Sequence, residues 1–182
     1  MLLYAEKVMT GPREYFLKSE RLGFSYWSSS DLALAQRLWG DREVSRFLGG
    51  PFTDDYIRRR LDREIALMRD HKVQYWPIFL LETGDHVGCG GLQPYRPEEQ
   101  IYELGFHLHR AYWGRGMAEE AARAVIRFAF DSLGLKTLFA GHHPENAASR
   151  RVLEKLGFQY AGEDVYPPSG MMEPTYFLRR IN

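Results

Sequence analysis

Cysteine is all but missing from this chain of 182 residues, and so is any surplus of charge of one sign. A lone Cys89 rules out an internal disulfide and fits a reducing compartment. Set in an apolar stretch, it reads as a small buried residue rather than a nucleophile. Lys plus Arg and Asp plus Glu both number 24, which leaves no basic field to condense along a phosphate backbone and argues against nucleic acid as a partner. The local run Arg58-Arg59-Arg60 is flanked by Asp54, Asp55, Asp62 and Glu64, the pattern of a solvated helix face. No apolar run approaches the roughly 20 residues of a membrane span, and charge at Glu6 and Lys7 comes too early for a signal-peptide core. These absences predict a cytoplasmic protein with no membrane partner. Metal-site spacing is lacking too: neither the His107/His109 pair nor His142-His143 has the helical HExxH pattern, and no cysteine or carboxylate repeat accompanies them.

What is present is ordinary globular composition, 45% apolar and 26% charged, at a length that suits one domain. The expectation is a single domain over 1–182, with 1–17 as an N-terminal extension. Residues 21–27 read as a strand, and Asp31 can cap a helix that Gly40 stops. Thr53 or Asp54 then opens a long helix to about His71, whose Ile57, Leu61, Ile65 and Met68 share a face that should pack on a sheet. Residues 75–82 and 86–93 flank a Thr-Gly-Asp turn as a β-hairpin, in which Pro77 suggests an edge or a bulge. Strand 101–109 puts Tyr102, Leu104, Phe106 and Leu108 on one side and Glu103, Gly105, His107 and His109 on the other. A helix over 117–132 carries Glu119, Arg123, Arg127 and Asp131 as an i,i+4 ladder. A strand at 135–140, a helix at 146–156 closed by Gly157, and strands near 158–166 and 173–181 complete a mixed α/β pattern.

The segment running from Arg110 to Glu120 ends a strand, turns on glycines and starts a helix. Helix N-terminal N–H groups and the positive end of the helix dipole, about half a charge, suit a pyrophosphate, and Gly114 and Gly116 remove the Cβ that would obstruct it. The same glycines also suit a plain tight strand-to-helix connection. A dinucleotide fingerprint would need a third glycine where Glu119 stands, which disfavours NAD. Gly88-Cys89-Gly90-Gly91 lies in a strand and opens no helix.

The run Trp113-Gly114-Arg115-Gly116-Met117-Ala118 resembles the pyrophosphate loop of GNAT acetyltransferases, with Trp113 where that motif carries glutamine or arginine. Trp-Gly-x-Gly is similar to the loop of the ribosomal-protein alanine acetyltransferase subfamily. Ser19-Glu20-Arg21-Leu22, Tyr102-Glu103-Leu104-Gly105-Phe106 and the stretch from Asn146 to Gly157-Phe158 match in the family's order. The resemblance implies a single-domain fold with a mixed, strongly twisted sheet, splayed middle strands and helices on both faces. It implies acetyl-CoA as cofactor and direct acetyl transfer to a primary amine, with a protein or peptide N-terminus as the favoured acceptor, in a monomer or homodimer. A module that binds acyl-CoA without catalysis is the rival reading.

By the same resemblance, Gly114, Arg115, Gly116, Met117 and Ala118 would bind the pyrophosphate. Phe106 and Leu108 would offer main-chain contacts to the pantetheine and thioester. Asn146 would hold the pantetheine, shape the splay or cap the last helix. Glu103 is the candidate base for the incoming ammonium. The family's tyrosine in the last helix is replaced by Leu153, which leaves Ser149 as a candidate donor to the departing thiolate, or as a helix residue bonding its own turn. Phe47, Phe52, Tyr95 and Tyr166, with the loop 167–172, would border the acceptor side or serve as filler, and His107 could line the acceptor groove beside Glu103.

Overall fold

A computed structural model describes residues 13–166 and 170–180. After Leu17–Lys18 (β1) and Leu22–Phe24 (β2) come three helices, Leu32–Trp39 (α1), Arg42–Ser45 (α2) and Asp54–His71 (α3). Three strands follow, Tyr75–Leu80 (β3), His86–Arg96 (β4) and Ile101–Leu108 (β5), then helix Met117–Arg127 (α4). Thr137–Gly141 (β6), Ala147–Lys155 (α5), Gln159–Tyr166 (β7) and Met171–Arg179 (β8) close the chain. The strands form one sheet in the order β1-β2-β3-β4-β5-β6-β8-β7, antiparallel everywhere except β5 beside β6. The described part of the expected N-terminal extension belongs to this body: Phe16 stacks on Tyr26, and Leu17 begins β1.

Both faces of the sheet are covered, as expected. On one, Leu92, Leu104, Leu108, Leu138 and Ala140 meet Met117, Ala121, Ala124 and Val125 of α4 and Leu153 of α5. The alanines let α4 approach the strands closely. On the other, Tyr75 and Cys89 meet Trp39 of α1 and Ile57 and Leu61 of α3. Strand alternation fixes these assignments, because residues two apart share a face.

Several local expectations change. Glu64 of α3 is buried beside Ile57 and Leu61 rather than solvated, because β3 and β4 satisfy its carboxylate. Pro77 sits in an interior strand, so the bulge reading holds: the β3–β4 register slips between Ile78 and Phe79. Helix 117–132 stops being an α-helix after Arg127 and ends in a π turn, Phe128–Ser132. The wider turn rotates Asp131 out of the ladder, so it pairs with Arg180 at 3.3 Å, while Glu119 and Arg123 pair as expected at 2.8 Å. Asp31 precedes α1, but its carboxylate accepts from the Ser28 amide and pairs with Arg13 instead of capping α1.

Candidate active site

β5 and β6 pair only through Ile101↔Thr137, Tyr102↔Leu138 and Glu103↔Phe139, whereas β5 stays paired with β4 as far as Leu108. The sheet therefore opens after Glu103. His109 N–H donates to Val87 O at 3.0 Å, so alternation sends the main-chain groups of Glu103, Gly105 and His107 to β4. Those of Leu104, Phe106 and Leu108 turn toward the side that β6 has left. The Leu108 carbonyl is already used: it accepts from Trp113 Nε1 at 2.7 Å, leaving the Leu108 N–H and both Phe106 groups facing the opening. Trp113, a departure from the loop motif at sequence level, thus ties the glycine loop to the end of β5.

That loop leads directly into α4. Gly114 and Gly116 have φ of 70° and 74°, which explains the glycines locally. The space beside them is open as well: nothing lies within 4 Å of a Cβ at Gly114, and at Gly116 only an Arg21 guanidinium nitrogen does, at 3.8 Å. Arg115 leans over the Tyr112 ring, Met117 is buried and Ala118 half-buried, so these three anchor the turn. The first N–H groups of α4 have no partner within the helix, so free donors follow directly on this glycine turn. Glu119 is turned aside by Arg123 and Lys155.

A latch that sequence reading matched but did not explain holds the loop. Both terminal nitrogens of Arg21 donate to Arg115 O at 3.2 Å, and its Nε donates to Glu120 at 2.7 Å. Glu120 also accepts from Ser19 Oγ at 2.7 Å and from Arg21 N–H at 2.8 Å. The Ser19–Arg21 stretch and Glu120 are 99 to 101 positions apart, so no local pattern reveals the contact.

Glu103 projects onto the α3 face of the sheet, where Tyr75 OH donates to Oε1 at 3.1 Å. Burial pushes its carboxyl above the usual range, while that hydrogen bond and the charges of Arg63 and Arg60 pull it back. Beneath lies Glu64, accepting from Tyr75 N–H at 2.8 Å and Gln93 Nε2 at 2.9 Å; burial pushes it up to about 6. Arg63 donates to Gln93 Oε1 at 3.2 Å. His107 shares the face with Glu103, but its Nδ1 sits 3.4 Å from Trp39 Nε1 and 3.5 Å from Cys89 Sγ. Burial and Arg60 hold the His107 imidazole well below its usual pKa, so it is neutral. The Cys89 thiol is fully buried and pushed far up by burial.

Asn146 caps α5: Oδ1 accepts from Ser149 N–H at 3.1 Å. Ser149 lies half-buried in the first turn, and Leu153 is core. Tyr95 stacks on Phe139, the register partner of Glu103, with centroids 3.9 Å apart. Phe52 stacks on Tyr56 and Phe47 rests on His143. Residues 167–169 of the proposed acceptor loop lie outside the described residues. A hollow of about 250 Å³ lined by Arg21, Leu80, Arg115 and Met117 abuts the glycine loop; one of about 540 Å³ beside α2 does not touch the opening. Among the described residues no cluster of His, Cys, Asp or Glu could hold a metal ion, and no helix is long and apolar enough to cross a membrane.

One further acidic residue was not singled out from sequence. Glu173 of β8 is 7% exposed, on the same sheet face as Glu103, and its Oε1 has no hydrogen-bond partner among the described residues. The available signal was its alternation with Thr175 and Phe177, which places an acid at an inward position.

The family described as Acetyltransferase (GNAT) domain matches residues 21–159. An uncharacterised N-acetyltransferase of Bacillus licheniformis, p20, is 32% identical over 148 residues, 80% of this chain and 83% of that one. A GNAT-family acetyltransferase structure from Bacillus anthracis superposes with a TM-score of 0.77 at 25% identity, covering 90% of this chain and 97% of the other. The fold is also that of RimL, a ribosomal L7/L12 alpha-N-protein acetyltransferase, with a TM-score of 0.78 at 15% identity over 93% and 96% of the two chains.

Proposed function

Because this chain belongs to the GNAT acetyltransferase family, whose members use acetyl-CoA, we propose that it passes an acetyl group from acetyl-CoA directly to a primary amine, with a protein or peptide N-terminus as the acceptor class. The observation that carries this reading is the parting of β5 from β6 immediately before a glycine turn that opens α4. The residues there fit the cofactor. Open Cβ positions at Gly114 and Gly116 and the α4 N-terminus suit a pyrophosphate, with Arg115, Met117 and Ala118 framing it. The free main chain of Phe106 and the Leu108 N–H suit the pantetheine arm and the thioester carbonyl. Asn146, which fixes the start of α5, is the side chain we assign to the pantetheine.

Acetyl-CoA supplies an activated acyl group; the chain's own residues manage protons and position. Glu103 takes the proton of the incoming ammonium, directly or through water, and its raised pKa brings it nearer the operating pH. Ser149 assists the departing sulfur from the first turn of α5. Transfer proceeds without an acyl-enzyme, since buried Cys89 is neither ionised nor accessible. The shared fold of an alpha-N-protein acetyltransferase supports an N-terminal amine as acceptor. Even charge and a single free cysteine suit a cytoplasmic enzyme, and the proposal takes it as a monomer or homodimer.

Free-thiol release from acetyl-CoA, followed with peptides, alkylamines and polyamines, tests the reading, with mass spectrometry of the acceptor. Stoichiometric thiol and acetylated amine are expected. Tight acetyl-CoA binding with no transfer to any acceptor would establish the non-catalytic acyl-CoA module instead.

A further inference from the structure

Strand pairing carries one sheet face across three strands at the opening. Glu103 of β5 lies beside Phe139 of β6, which lies beside Phe177 of β8; Gly141 and Thr175 pair one step further along. Glu173 is two residues beyond Thr175 on the same face, past the last β6–β8 pair. Its direction along the face is that in which β5 and β6 separate. Gly141 leaves the intervening position without a side chain, and Glu173 Oε2 stands 4.0 Å from where a Cβ would be. The Phe139 ring comes within 3.8 Å of the same position, and the Pro174 carbonyl oxygen within 3.7 Å. Two carboxylates thus share the face of the sheet where β5 and β6 part, with no side chain at Gly141 on the strand between them.

We propose that Glu173 is the acceptor-binding carboxylate of this site and that, with Glu103, it selects cationic amines whose neighbouring carbon carries no carboxylate. The inference rests on the acetyl-transfer reading of the β5–β6 opening. A carboxylate this buried with an unsatisfied oxygen is costly unless a donor reaches it. An ammonium offers both charge and N–H donors to Oε1, while Glu103 takes the proton that must leave before attack. Burial and the charge of Glu103 push Glu173 up to about 7, the signature of two acids sharing one space. The other ionisable groups coupled to this pair are Tyr166 of β7, Tyr75 of β3, and Arg60 and Arg63 of α3. The arginines act on Glu103, while no described side chain donates to Glu173 Oε1, which leaves that oxygen open to an external donor. A free α-amino acid would bring its own carboxylate against both glutamates; an amide or peptide bond in its place removes that repulsion.

The test uses the full chain saturated with coenzyme A or acetyl-CoA, and a panel of amino-acid amides against the matching free amino acids. Calorimetry on the coenzyme A complex should show the amides binding at least about tenfold more tightly than the acids, and kcat/KM should follow the same order. Glu173→Gln should raise the amide Kd and KM by about tenfold or more, narrow the amide-to-acid ratio, and leave acetyl-CoA affinity unchanged. Amides and acids that bind the wild type alike, or an amide affinity untouched in folded Glu173→Gln, would overturn the proposal while leaving the transferase reading intact. Selective amide binding without turnover would uphold the receptor and sink the transferase reading. Failure of every amide to bind counts against the receptor outright.

Discussion

At Gly116 a positive φ and open space coincide, and a β-branched residue strikes at both. Gly116→Val should cost about 1–3 kcal/mol of stability through backbone strain yet remain folded, and should lower acetyl-CoA affinity by at least about tenfold. Calorimetry with circular dichroism checks this; unchanged affinity in a folded variant would remove the loop from the cofactor site. Glu103→Gln is nearly isosteric and keeps an oxygen for Tyr75 OH, so binding of acetyl-CoA should persist. Turnover should fall about 10²–10⁴-fold near neutral pH and recover as pH rises, because solvent then supplies neutral amine. Initial rates from about pH 6 to 10 decide it, since a pH-independent defect would mean positioning rather than proton removal.

Elements enter through the latch that joins the start of β2 to the glycine loop and α4. Arg21 holds the Arg115 carbonyl and Glu120 together, and removing it frees the loop without touching the sheet opening. Arg21→Ala should therefore raise the KM for acetyl-CoA several-fold with kcat little changed, whereas a mere loss of fold would lower the active fraction and leave KM alone. Arg21→Lys should rescue only in part, because an ammonium cannot bridge the carbonyl and carboxylate as a planar guanidinium does. The exposed ladder pair Glu119–Arg123, by contrast, is the kind of contact whose removal changes little.

Across the whole molecule, the buried acid Glu64 links folding to pH. Its folded pKa of about 6 lies above the ordinary 4.5, so the folded state holds the proton more tightly than the unfolded chain. That contribution is fully present below about pH 4.5 and is lost as pH rises through 6, a swing of about 2 kcal/mol. Denaturant unfolding at pH 4.5 and 7.5 should show Glu64→Gln gaining about that much relative to wild type at the higher pH. Equal pH responses in the two proteins would show that the Glu64 carboxyl is not uncoupled from solvent. Sequence alone determined the helices and strands with strong periodicity, the glycine turn and the family frame, because capping, alternation and positive-φ demands act within a few residues. It narrowed the cap of α3 to Thr53 or Asp54, of which the folded chain uses Thr53, and it put Glu103 on a face with His107, which the folded chain keeps. Only the tertiary structure decided that Glu64 is buried, that Trp113 secures Leu108, that Arg21 holds the loop and that Glu173 faces Glu103's side of the sheet. Those facts depend on which strands become neighbours and where β5 parts from β6; the energies that fix such pairings are summed over the whole core, and no short stretch of sequence carries them.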